Sequence, residues 1–206
     1  MGYSYRSWHE FTPLCWGSLA SIYASNRDKK KFERIEAFFN DVFKTMEELK
    51  QSQQINEKNL NLSKHDEEAL ASLIESILDK VESEIQEDKK RYLRNFFLNS
   101  LVIPTTKDTI DKKQIYLDAL ANMSYLECEL LIMLYGQKEK LHMSQIEMKS
   151  ADQYFILSLT NRLRNYGFVE KYTNNITANQ SVDNALDEFI SISNLGKDFT
   201  LYCLET

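Results

Sequence analysis

The chain has 206 residues, 43% of them apolar and 12% aromatic, with a net charge of −6. That is enough apolar material for a core, and it excludes a disordered chain. Five Gly and two Pro leave few reversal signals, so long helices are expected rather than a strand-and-turn architecture, and the acidic balance opposes non-specific attraction to phosphate backbones.

The N-terminus has no basic stretch before an apolar run, and Pro13 to Ala24 is short for a bilayer and interrupted by polar residues. No signal peptide and no spanning helix are expected, with a peripheral membrane contact by that segment as the alternative. Cys15, Cys128 and Cys203 are odd in number and far apart, which supports neither a disulfide framework nor a Cys-x-x-Cys metal site and suits a reducing cytoplasm.

Phe32, Ile35, Phe38, Phe39, Val42 and Met46 recur at spacings of three and four, which predicts one amphipathic helix from Asp28 to Lys50. Gln51 to Leu62 is polar and aperiodic and reads as a connection. Ser63 followed by Asp66 predicts a capping box for the next helix. Leu73, Ile77, Val81 and Ile85 carry its stripe, and Tyr92, Leu93, Phe96 and Phe97 continue one after a bend near Glu87. Two long helices joined this way predict an antiparallel hairpin, whose aromatic stripe should pack on the segment before Arg27, on the C-terminal domain or on a second subunit; a homo-oligomer is expected.

Pro104 breaks the pattern, dividing the chain into an N-terminal helical region, 1–105, and a C-terminal domain, 106–206. Helices are expected over Ile115 to Met123 and Tyr125 to Tyr135, the latter with Ser124 and Glu127 as a capping box and Gly136 as its stop. Ser144 with Glu147 predicts a short helix and Asp152 a longer one, whose Phe155, Ile156, Leu159 and Leu163 should face the core. Gly167 should then turn the chain into a strand through Lys171, and Ile190 to Ser193 should form the return strand before a last helix. The fold class expected is mainly α: a long helical hairpin followed by a winged helix-turn-helix domain with a small β wing.

The run Leu159-Thr160-Asn161-Arg162-Leu163-Arg164-Asn165-Tyr166-Gly167-Phe168-Val169-Glu170-Lys171 resembles the recognition-helix-to-wing junction of bacterial winged-helix regulators, including those of the multiple-antibiotic-resistance-regulator type. Ile192-Ser193-Asn194-Leu195-Gly196-Lys197 resembles the return strand and closing helix of the same folds. The layout of Pro13 to Ser25 feeding Arg34-Ile35-Glu36-Ala37-Phe38-Phe39, then Phe96-Phe97-Leu98-Asn99-Ser100 and a winged helix, is similar to uncharacterised bacterial abortive-infection alpha-type proteins carried by phages and mobile elements. That resemblance implies a part in phage conflict or mobile-element regulation, and it transfers no binding residue.

A DNA reader of this form would place the helix from Asp152 in the major groove of double-stranded DNA, with Gln153, Thr160, Asn161 and Arg164 outward and Lys171, Asn174 and Asn175 near the wing. Amide and guanidinium groups suit base edges. Against this, the chain from Lys113 onward has 8 Lys and Arg but 12 Asp and Glu, and winged helices also serve as protein contacts. A protein partner is therefore the second reading, in which the chain is an adaptor or inhibitor touching no nucleic acid. His9, His65 and His142 are scattered, without Cys or His at metal-ligand spacing, and there is no nucleophile elbow or phosphate-cradling glycine loop. No enzyme, cofactor or metal is expected. Lys89, Lys90, Arg91 and Arg94 form a dense basic run in the body of the protein, interleaved with acids, and read as a solvated ion-paired face.

Overall fold

A computed structural model describes residues 29–52, 62–149, 151–172 and 188–205. The chain divides into two compact units, Met1–Asp111 and Lys112–Thr206. Its described residues are mainly helical, with one small antiparallel sheet, and none of their helices is long and apolar enough to cross a membrane.

In the first unit, α1 spans Lys29–Gln51, α2 Glu67–Ser83 and α3 Glu87–Val102. The apolar stripe of α1 is buried through Ile35, Phe38, Phe39 and Val42. Its rings meet Phe97 of α3 edge to face, Phe38 at 5.8 Å and Phe39 at 6.2 Å between centroids, a favourable quadrupole arrangement. Each of the three helices packs on the other two. The aromatic stripe, with a second subunit among its expected partners, is thus used inside the unit.

The two-helix hairpin is corrected to three helices. Glu84 leaves the helical region at φ −78°, ψ 130°, and its Oε1 accepts from the N–H of Ile85 and of Gln86, both at 2.9 Å. Lys89 pairs with its other oxygen at 2.9 Å. A side chain that satisfies backbone donors locally replaces the helix ladder and ends it. Burial alone would raise the Glu84 carboxyl, but the Gln86 N–H, Lys89 and the Ile85 N–H outweigh it and hold it below the ordinary range. Ile85, expected in the stripe, is instead 77% exposed.

The start of α2 also differs from expectation. Ser63 lies in a single 3₁₀ turn, Leu62–Lys64, and the cap is Asp66, which accepts from the Ala69 N–H at 3.0 Å. His65 ties this entry to the end of α3. Its Nδ1 accepts from the Thr105 N–H at 3.0 Å while Nε2 faces the Leu101 carbonyl at 3.1 Å, which fixes the neutral tautomer with the proton on Nε2.

The second unit contains most of α4, Ile110–Asn122, then α5, Tyr125–Tyr135, and α6, Gln153–Asn165. Strand β1 is Leu141–His142, β2 Val169–Tyr172 and β3 Phe189–Ile192. β3 lies between the others, antiparallel to both, with Val169 opposite Ile192 and Tyr172 opposite Phe189. A short last helix, α7, Asn194–Phe199, runs into a π-helical turn, Thr200–Leu204. Leu117, Leu120, Leu130, Leu131, Phe168 and Phe199 form the fully buried centre.

The expected capping box of α5 is present. The Ser124 N–H and Oγ donate to Glu127 Oε2 at 2.6 and 2.7 Å, and the Glu127 N–H donates back to Ser124 Oγ at 3.3 Å. The short helix expected at Ser144 is only a 3₁₀ turn, Met143–Gln145. Ser144 faces the His142 ring at 2.6 Å, so its hydroxyl does not initiate a helix.

Gly167 reverses the chain. Its φ is +77°, where a Cβ is strained; its N–H donates to Arg164 O at 2.8 Å and the Phe168 N–H donates to Leu163 O at 3.0 Å. These two bonds make a Schellman closure, which satisfies the carbonyls at the end of α6 and delivers Phe168 to the core.

The outer face of α6 as the candidate contact site

α6 is positioned by a cap at each end. Asp152 accepts from the Phe155 N–H at 2.8 Å at the start, and the closure at Gly167 fixes the end. Ile156, Leu159, Thr160 and Leu163 form its buried side, at spacings of three, one and three that mark one helical face. Tyr154, Ser158, Asn161 and Asn165 occupy the opposite, exposed side.

This phase corrects two sequence expectations. Thr160, expected to meet bases, is fully buried; its Oγ1 donates to Ile156 O at 2.9 Å and lies 3.9 Å from Met143 Sδ. A hydroxyl satisfied by the preceding turn is compatible with the core. Phe155, expected in the core, is 46% exposed, beside Tyr154 at 74%. The spacing of four from Phe155 through Leu159 to Leu163 also fits the edge of the face centred on Ile156 and Leu163.

Gln153 is half-buried, and its Nε2 donates to Ile146 O at 3.0 Å, holding the loop before α6. Lys171 pairs with Glu188 across the start of β3, and both side chains are largely enclosed. Asn161 and Arg164 are exposed. Asn174 and Asn175 lie outside the described residues. The residues expected to share one base-reading surface are therefore divided among core, loop support, a cross-strand ion pair and the helix surface.

Arg162, beside Arg164, is engaged from its own side. Its Nε is 2.9 Å from Oε1 of Glu127, which is fully buried, and its Nη2 donates to Asn122 O at 3.2 Å. The Glu127 contact is an ion pair without hydrogen-bond direction. It still supplies the counter-charge that an enclosed carboxylate needs, and it clamps α6 to the start of α5. Lys140 stands over the Tyr172 ring at 3.2 Å, a cation–π contact that occupies another cation of this unit.

The remaining chemistry-bearing groups are engaged locally. His142 and Ser144 form a nucleophile–base pair on the surface, but no carboxylate among the described residues orients the ring. Burial pushes the Cys203 thiol up, reinforced by the Cys128 thiol nearby, and enclosed thiols of this kind are poor nucleophiles. In the first unit, Lys90 pairs with Glu87 at 2.6 Å, Arg94 with Asp41 at 2.8 Å and Arg91 stacks on Tyr92. With Lys89 on Glu84, the basic run is largely ion-paired as its sequence suggested, but it is not a solvated face: Lys89 is buried and Lys90 and Arg94 are half-buried.

Comparisons with known protein families, with curated proteins and with solved structures return no match.

Proposed function

We propose that Lys112–Thr206 is a winged helix acting as a protein-contact module, and that the chain is a non-enzymatic regulator or defence factor of the cytoplasm. The order α5, β1, 3₁₀ turn, α6, β2, β3, with β3 between the other strands, supports the winged-helix reading. The resemblance to abortive-infection alpha-type proteins supports a setting in phage or mobile-element conflict.

The observation that carries the protein-contact reading is the first turn of α6. In helix-turn-helix readers the N-terminal residues of the recognition helix meet base edges while the preceding helix crosses the backbone. Here that turn offers an acid, Asp152, and two exposed aromatics, Tyr154 and Phe155. A single 3₁₀ turn stands where the preceding helix would lie. Aromatic residues without cations suit a protein surface better than a phosphate lattice.

Asn161 and Arg164, both exposed, favour double-stranded DNA as the second reading. Anisotropy of a short labelled random-sequence duplex, titrated with the full chain at about 50 mM salt, separates the two. No binding is expected. Binding that falls steeply with salt and is lost in Arg164→Glu would establish the DNA reading in its place.

A further inference from the structure

We propose that the turn between α2 and α3 is a latched hinge, and that its opening lets two copies of this chain exchange α3 through one continuous helix from Glu67 to Val102. The connection is short, Glu84 to Gln86. Its sequence does not stop a helix: Val81 to Asp88 contains neither Gly nor Pro, and Glu, Gln and Ile are accepted in helix interiors. Side chains hold the break instead. Glu84 takes the Ile85 and Gln86 N–H groups on one carboxylate oxygen and Lys89 on the other, and Arg34 of α1 donates at 2.6 Å to the Glu82 carbonyl that the break frees. These bonds replace the helix ladder the same groups would otherwise join. A local helix preference held off by such a latch is the conflict from which a competing packing of one chain arises.

The exchange re-forms contacts that the unit already makes. The start of α2 meets the end of α3, with His65 at the Leu101 carbonyl and the Asp66 N–H donating to Thr105 O at 2.8 Å. α1 brings Phe38 and Phe39 to Phe97 and Asp41 to Arg94. With the hinge straight, α1 and α2 of one copy meet α3 of the other through these same groups, and the two continuous helices lie antiparallel about a two-fold axis at Ile85. The face uncovered by opening is therefore complementary to a second copy by construction. Ile85 marks the axis, being 77% exposed in the closed turn. It stands four residues after Val81 and seven before Tyr92, both fully buried, so the continuous helix carries all three on one face. At the axis it is covered by Ile85 of the second copy. In that helix Glu84 would stand three and four residues from Glu87 and Asp88, a like-charge crowding that favours the closed turn. Neutralising Glu84 removes both the latch and the repulsion. The exchange lies wholly in the first unit and leaves the reading of α6 untouched.

The test compares the full parent chain with Glu84→Gln, each with and without Glu87→Pro, after refolding at submillimolar concentration in reductant. Glu87 is the first residue of α3, and Gln86 before it is extended, φ −88° and ψ 120°, so proline fits the closed turn and breaks the continuous helix. Sedimentation should show the association constant of Glu84→Gln raised about tenfold or more over the parent, since hydrogen bonds to a charged group are lost from the closed form alone. Glu87→Pro should return it to monomer mass. In a mixed dimer of isotope-labelled and unlabelled chains, filtered Overhauser contacts should join Phe38 of one chain to Phe97 of the other. Monomer mass for the parent and Glu84→Gln alike overturns the exchange, as does a dimer that survives Glu87→Pro or lacks that interchain contact. Should Glu84→Gln lose its helical circular dichroism, the parent decides: a dimer fraction that Glu87→Pro removes supports the exchange, and monomer in both overturns it.

Discussion

Gly196→Ala is expected to destabilise the protein by about 3 kcal/mol, the upper part of the range for overpacking a filled interior. A Cβ at this position would lie 2.2 Å from Phe168 O and 2.8 Å from Ile192 Cγ1, so backbone rather than a flexible side-chain tip would have to move. That backbone is held from several directions. Phe168 O accepts from the Ser193 N–H at 2.9 Å, Ser193 Oγ donates to Gly167 O at 2.6 Å and accepts from the Gly196 N–H at 2.9 Å, and Thr200 Oγ1 donates to Gly196 O at 2.8 Å. The Phe168 ring is stacked on Phe199 with centroids 4.3 Å apart. Moving Phe168 therefore disturbs the exit of α6, the hairpin and α7 together. Domains are stable by roughly 5–15 kcal/mol, so the denaturant midpoint should fall far below that of the parent. Gly136→Ala is the control: its Cβ would come no nearer than 3.6 Å, to Met133 O, and its φ is −71°, so it should be neutral or gain up to about 1 kcal/mol. Equal midpoints for the two variants would contradict the close approach at Gly196.

Lys113→Met is expected to stabilise the protein at neutral pH, with an advantage that vanishes as pH rises. Lys113 is 4% exposed, and burial pushes its amine down to about 8, against about 10.4 for an unfolded lysine. Between those values the unfolded chain binds more protons than the folded one, so stability rises with pH. Below about 8 the full cost of enclosing the charge is present, about 3 kcal/mol by that linkage. Methionine keeps the packed stem and removes the charge. The variant should therefore exceed the parent by about 3 kcal/mol at pH 7, and the gap should close from pH 8 to about 10.5. Burial also pushes up the Tyr116 phenol, against the opposing pull of Lys112, and the Cys203 thiol. Those groups lower stability at high pH in both proteins and cancel in the difference. A gap independent of pH would contradict the buried charge, and a destabilised variant would show that the cation over the Tyr202 ring, 5.9 Å away, outweighs its burial.

The parts legible in the sequence are those whose signals are local. Ser124 with Glu127 specifies the start of α5, Asp152 the start of α6 and Gly167 its end, because each acts on backbone groups within a few residues. The strand pair follows once the reversal is placed, since Val169 and Ile192 bring apolar residues into register. The break between α2 and α3 was less legible. It depends on Glu84 folding back onto two backbone donors and meeting Lys89, whereas the apolar stripe continues past it.

The candidate site was legible in position and misread in phase. Phe155 and Ile156 are adjacent, and both begin an acceptable apolar series; the buried hydroxyl of Thr160 decides between them by turning inward to Ile156 O. Lys171 looked available because its partner Glu188 lies 17 positions away in sequence and meets it only when β2 and β3 pair. The pairing of β1 with β3 brings His142 edge to face with Phe189, centroids 5.0 Å apart, a contact no local pattern announces. Aromatics on the first exposed turn of α6 carried the one signal for a protein contact, and it was hidden by assigning Phe155 to the core.

Every functional statement depends on the chain turning at Gly167 into an antiparallel pair of strands. Nuclear Overhauser contacts in the labelled full-length protein measure this directly. The register predicts cross-strand contacts of Glu170 with Ser191 and Lys171 with Ile190, and an end to helical sequential contacts at Tyr166. Helical contacts running without interruption from Arg164 through Tyr172, with no cross-strand contact to 189–192, would contradict it.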